Sequence, residues 1–173
     1  MLTVLFNPNG RIGPRTFWRG VFLLLAAMII VSVAGAYGGA AGQALGIFSL
    51  AAPYCYLCVY GKRLHDNGKS AWLFLAFLAG YFVVSSGLSM VLMPFLSPGV
   101  APLEAQMTLL IEQGQLMDAI NYAPEINKAG IMTSLVSLIA SNALLGFIAA
   151  SLSSDPQSNA YGPPEGGLAS DTF

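Results

Sequence analysis

The sequence predicts an all-α polytopic membrane protein, a four-transmembrane-helix bundle with a short amphipathic helix in an outer loop. Composition is the first observation behind this. Of 173 residues, 55% are apolar and 9% charged, and the uncharged ones gather in four stretches at about 17–37, 44–60, 71–96 and 129–152. A hydrocarbon layer of roughly 30 Å takes ~20 helical residues at about 1.5 Å each. Three stretches reach that length. The second is at the lower limit and holds Pro53, tolerated in a membrane helix where neighbours satisfy the freed carbonyl.

The second observation is where the charge sits. Arg11, Arg15 and Arg19 precede the first span, and Lys62, Arg63 and Lys69 lie between the second and third. These are six of the seven Lys and Arg residues. Lys and Arg in short loops are retained on the cytoplasmic side, so four spans put both termini in the cytoplasm and the 97–128 loop outside. That outer loop carries Glu104, Glu112, Asp118 and Glu125 beside Lys128. Residues 1–152 form the membrane domain, and 153–173, rich in Gly, Pro and Ser, read as a flexible cytoplasmic tail.

Each element has a local reason. Asn7-Pro8-Asn9-Gly10 is turn chemistry, and Gly13-Pro14 opens a helix, Pro being favoured at the first helical position. Ala34-Gly35-Ala36 resembles a small-residue cleavage site, but the apolar run and Phe17-Trp18 at the headgroup boundary fit a retained first span. Gly35 with Gly39, and Gly38 with Gly42, have the spacing that lets helices approach closely. Packing within the chain is the expectation for them, with a homo-oligomer or a membrane-protein partner as the other reading. In the outer loop, Leu103, Met107, Leu110 and Ile111 group on one side of a short amphipathic helix, which Gly114 weakens. In the fourth span Gly130, Ser134, Ser137 and Ser141 recur at helical spacing beside Asn142, a small-residue packing face.

Candidate chemistry is thin. Gly68-Lys69-Ser70 lacks the phosphate-loop spacing, because six residues separate Gly61 from Gly68 and an apolar helix precedes them. Cys55-x-x-Cys58 lies inside a span, and with a single His and two Cys in the chain a zinc set cannot be completed. His65 beside Asp66 could be a proton-transfer pair. Adjacent helical residues point apart, however, so Asp66 is expected to pair with Arg63 or to cap the next helix. The middles of the spans hold no Asp, Glu, Lys, Arg or His, against an ion- or proton-coupled pump. No catalytic residue, metal site or cofactor is assigned, and no nucleic-acid partner. The bilayer itself is the expected partner, with anionic lipid headgroups near the basic rim at roughly 1 kcal/mol per cation.

Three separated motifs then coincide. Gly10-Arg11-Ile12-x-x-Arg15-x-Phe17-Trp18 precedes the first span. Arg63-Leu64-His65-Asp66-x-Gly68-x-Ser70-x-Trp72 joins the second and third, and Asn159-x-Tyr161-Gly162-Pro163 follows the last. Together they resemble the domain-of-unknown-function 805 family, the YhaH-like bacterial inner-membrane proteins. The resemblance implies a compact multi-span helical protein and brings no established reaction, substrate or ligand. The family pattern continues Ser-Gly-Trp-Trp where this chain has Ser70-Ala71-Trp72-Leu73, and the 97–128 loop is long for it. All three motifs fall on the cytoplasmic side. Arg11, Arg15, Trp18, Arg63, His65, Asp66, Trp72, Asn159 and Tyr161 are therefore the candidate for a cytoplasmic cap that fixes helix ends or grips a lipid phosphate. The expected role is structural, assembly-related or lipid-interacting. A small transporter or channel subunit, with the Ser face lining its path, is the alternative, and an enzyme using His65 and Asp66 the third reading.

Overall fold

The computed structural model of the chain describes residues 1–165. It is all-α: α1 (Leu2–Phe6), α2 (Pro14–Tyr37), α3 (Gly39–Leu45), α4 (Ala52–Asp66), α5 (Phe74–Leu96), α6 (Val100–Glu112) and α7 (Leu116–Ser151). Short 3₁₀ turns at Gly46–Ala51 and Ala71–Leu73 lead into α4 and α5. Four helical segments are long and apolar enough to cross a membrane: Pro14–Tyr37, Gly39–Asp66, Ala71–Leu96 and Leu116–Ser151. The protein is thus a polytopic helical membrane protein.

Two of these segments differ from the sequence expectation. Pro53 does not interrupt a helix but sits in the first turn of α4, where a missing N–H costs nothing. The last segment reaches well into what reads as loop. With 36 residues, α7 is about 54 Å long, beyond the roughly 30 Å of hydrocarbon.

The chain divides into two compact units. The first comprises Met1–Ala26, Ala51–Phe82 and the chain from Ser141 onward. Its core sets Phe17, Val21 and Leu24 of α2 with Val59, Tyr60 and Leu64 of α4, Phe74 of α5 and Ala149 of α7. Phe17 meets Tyr60 edge to face at 5.0 Å between ring centres, a favoured aromatic geometry. Gly20 is small because Val59 lies over it: a Cβ there would stand 3.1 Å from both Val59 methyls. Gly146 is small for a similar reason. A Cβ on it would lie 2.9 Å from the Trp18 ring, which also stacks on Phe22.

Gly146→Ala is therefore expected to push the indole off its seat and cost about 1–3 kcal/mol. Thermal unfolding in detergent together with a shift in Trp emission measures it, and an unchanged spectrum and midpoint would rule out the tight fit.

The second unit comprises Ala27–Leu50 and Val83–Ala140. Gly38 and Gly42 close the α2–α3 corner: a Cβ on Gly42 would overlap the Ala34 carbonyl. Their spacing thus serves packing inside the chain. Gly114, at φ +74°, turns α6 into α7, so the residue that weakens a single helix ends one and starts the next. Val100 is buried and approaches Gly130, Thr133 donates to Ser97 Oγ at 2.8 Å, and Ser89 donates to Ser137 Oγ at 3.0 Å. Thr133 and Ser137 are buried while Ser134 is exposed, so the polar face lies one residue away from the Ser134 register.

Candidate functional site

The site is built on the last turn of α4. Helical geometry puts Arg63 and Asp66, three residues apart, on one face, and Arg63 Nη1 donates to Asp66 Oδ2 at 2.5 Å. The other carboxylate oxygen, Oδ1, accepts from Arg11 Nε at 3.2 Å and Nη2 at 3.0 Å. One buried aspartate therefore bridges two arginines. Both guanidinium side chains are fully buried and the Asp66 side chain is 2% exposed. Charges so enclosed persist only when paired and hydrogen-bonded throughout.

The remaining donors find the chain's own carbonyls. Arg63 Nε donates to Ala149 O at 3.2 Å, Nη2 to Ala150 O at 3.0 Å and to Leu152 O, and Nη1 to Ser154 Oγ at 2.9 Å. Ala149 and Ala150 belong to the end of α7 and Leu152 lies just past it, where a helix leaves its last acceptors unsatisfied and a cation is favoured. Arg63 is thus an inter-helix C-cap. Arg11 reaches beyond it: Nη1 donates to Gln157 O at 2.7 Å and Gly162 O at 3.2 Å, and Nη2 to Asp66 O at 3.3 Å and Asp155 O at 2.5 Å.

Hydrogen bonds also join the segment after α7 to this site. Asp155 N–H donates to Asp66 O at 2.7 Å, Asn67 Nδ2 to Ser153 O, and Asn159 Nδ2 to His65 O at 3.0 Å. Tyr161 lies flat on His65, ring centres 3.7 Å apart and 6° from parallel. Because a carbonyl only accepts, the 3.1 Å contact between His65 Nδ1 and Gly10 O makes Nδ1 the protonated nitrogen. Asn159 turns the chain by accepting from Tyr161 N–H at 3.0 Å and pairing with Gly162, whose φ is +118°; side-chain-to-backbone bonding two residues on is the Asn turn habit. The Gln157 N–H, then the Asn159 amide and the Arg11 charge, hold the Asp155 carboxyl below its usual range against its desolvation. Beyond the turn, Glu165 accepts from Gly13 N–H and from the Thr16 hydroxyl, each at 2.5 Å. The rest of the tail, 166–173, lies outside the described residues.

Of the nine candidate residues, six share this clasp: Arg11, Arg63, His65, Asp66, Asn159 and Tyr161. Three do not. Arg15 is exposed and lines a cavity of about 390 Å³ with Gly13, Pro14, Asp66, Ser154, Pro164 and Glu165. Trp18 packs on Gly146, and Trp72 is 77% exposed. Every guanidinium nitrogen of Arg11 and Arg63 donates inside the protein. Ala71 does make a close approach: a Cβ on Gly61 would sit 3.1 Å from the Ala71 Cβ, so the small partner of that contact is Gly61. Sequence reasoning missed Ser154, Asp155 and Glu165; acids and a serine beside a marked Asn-x-Tyr-Gly turn were the available signal. Lys62, also unassigned, donates from Nζ to Thr3 O at 2.5 Å and ties α1 to α4.

Among the described residues no cluster of three or more His, Cys, Asp or Glu could hold a metal ion. Cys55 and Cys58 are buried free thiols.

No solved structure matches the chain. Two relatives, the uncharacterized protein YiiR of Escherichia coli strain K12 and of Escherichia coli O157:H7, are 39% identical to it over 83 residues, 43% of this chain and 52% of theirs. The chain thus spans about half the length of these curated relatives. The model of the DUF805 family, "Protein of unknown function", matches residues 5–163. That match takes in every residue of the Arg–Asp–Arg clasp, and the chain belongs to the DUF805 family.

Proposed function

We propose that the protein is a non-enzymatic component of the bacterial inner membrane, whose clasp is a structural lock and whose outer cations meet anionic lipid. The observation that carries this is the complete internal use of both buried guanidiniums: a group that shows nothing to solvent and donates only to its own chain closes a fold. It joins the segment before α2, the end of α4 and the segment after α7. Residues 11, 66 and 155 within hydrogen-bond reach of one another support a common side for both termini and that loop, and the excess of Lys and Arg there supports the cytoplasmic side.

Lipid contact then falls to the cations the clasp leaves out. Arg15, Arg19 and Lys69 are exposed and make no ion pair among the described residues. Arg15 and Arg19 lie one turn apart, on one helix face at the inner membrane surface.

Native mass spectrometry of the gently extracted protein tests this. Anionic phospholipid is expected to stay bound to the wild type and to lose about fivefold in occupancy per charge in Arg15→Ala and Arg19→Ala. Equal retention by the Arg15→Ala/Arg19→Ala double variant would remove the lipid half of the proposal and leave the lock.

A small-solute path has one observation in its favour, a cavity of about 770 Å³ beside Ser85, Ser86, Ser89 and Ser97. Two of those hydroxyls already bond to Ser137 and Thr133, which favours packing.

A further inference from the structure

The clasp and the strap after α7 satisfy the polar groups at the helix ends. Deeper in the same unit, two hydroxyls are left over. Tyr56 Oη on α4 and Ser141 Oγ on α7 are both buried and make no hydrogen bond among the described residues. Ser141 is fully enclosed, at 0% exposure. The buried Asn142 side chain stands beside the Tyr56 hydroxyl without meeting it in hydrogen-bond geometry. Tyr60 packs against Tyr56 with ring centres 6.2 Å apart, and Tyr81 of α5 lies close to it as well.

Depth sets the cost. Tyr56 stands about ten residues from the Asp66 end of its membrane-crossing segment, and Ser141 about ten from the Ser151 end of its own. At ~1.5 Å per residue that is about 15 Å, half of the roughly 30 Å hydrocarbon layer. Arg63 ties those two ends together by bonding both Asp66 and the Ala149 carbonyl, so the two hydroxyls share one level. An unpaired hydroxyl is expensive there, because no bulk water reaches it. Within a turn of either residue its own helix has no Asp, Glu, Lys, Arg or His, so the missing partner is neutral. A hydroxyl donates one hydrogen bond and accepts two. Water answers both roles in the space of one oxygen, and buried water is the usual partner of such groups.

We infer that this unit binds ordered water at the middle of the membrane, held by the hydroxyls of Tyr56 and Ser141. The bound water gives each hydroxyl the partner that the surrounding side chains withhold. It stabilises α4 and α7 at a depth that the clasp does not reach.

Solid-state NMR of the whole protein in lipid bilayers tests this by polarisation transfer from water to labelled tyrosine and serine. The two signals are assigned by their loss in Tyr56→Phe and Ser141→Ala. Transfer to both at short mixing times is expected. Thermal unfolding of the same variants in detergent supplies the second arm. Removing a hydroxyl that bonds water is expected to lower the midpoint by about 2–4 °C, whereas removing one left unpaired in apolar surroundings raises it. Absence of transfer to either residue would overturn the inference even if the midpoints fell, since lost packing lowers them too. Transfer to both with a midpoint that holds or rises would overturn it as well, because water would then pass through without stabilising the helices.

Discussion

Asp66→Asn is expected to cost about 3–5 kcal/mol of stability, the loss that follows when one member of a buried ion cluster is removed and its partners stay. The amide keeps the shape of the carboxylate and removes its charge. Arg11 and Arg63 would then face each other across a neutral group, both fully buried. Protonation state offers no escape, since a guanidinium stays charged at any ordinary pH. The cap relieves this by opening: Arg11 swings to water, and the tail carbonyls of Asp155, Gln157 and Gly162 lose their donor. Denaturant unfolding in detergent, followed by helical circular dichroism, should show a lower midpoint. Hydrogen exchange should rise first over residues 153–162. Pairing Asp66→Asn with Arg11→Met separates the charge effect from packing. The double variant should recover part of the loss, with a coupling of about 0.5–3 kcal/mol. A loss below about 1 kcal/mol would mean that the cluster behaves like an exposed surface pair.

How much of this was legible beforehand follows from the range of each contact. The four spans were written in composition, and the Arg63–Asp66 pair in helical spacing. The polar face of α7 was ambiguous: Ser134-Ser137-Ser141 and Thr133-Ser137-Ser141 both fit a helix, and the neighbour Ser97, bonded to Thr133, chooses the second. The start of α7 at Leu116 was hidden because Pro124 and the scattered charges Asp118, Glu125 and Lys128 read as loop, whereas one long helix takes them in. The strap was the hardest. Gly, Pro and Ser composition says flexible, and what fixes 153–162 is mainly backbone: the carbonyls of Asp155, Gln157 and Gly162 accepting from Arg11, and an N–H reaching Asp66 O, with the Ser154 hydroxyl accepting from Arg63. Backbone acceptors leave no mark in a sequence. Only Asn159, Tyr161 and Gly162 announced the turn that presents them.

Arg63→Lys is the sharper probe of what the lock does, because it keeps the charge and changes only geometry. A guanidinium offers five N–H groups in a planar fork, while an ammonium offers three from one atom. Arg63 spends its three nitrogens on five separate targets: the Asp66 carboxylate, the Ser154 hydroxyl, the α7 carbonyls of Ala149 and Ala150, and Leu152 O just past that helix. One ammonium nitrogen cannot reach Asp66 and the end of α7 together, so at least two buried carbonyls lose their partner, at about 1–3 kcal/mol each. The expected result is a loss of about 2–4 kcal/mol with insertion and orientation unchanged, since Lys satisfies the cytoplasmic charge rule as well as Arg does. Cysteine-accessibility mapping of both termini should match the wild type, while hydrogen exchange at residues 147–152 rises and the unfolding midpoint falls. If Lys matched Arg in stability, the position would be a topology signal alone. If instead orientation changed while the unfolding midpoint held, the cap would owe its cohesion to the His65–Tyr161 stack and the strap rather than to the arginine at its centre.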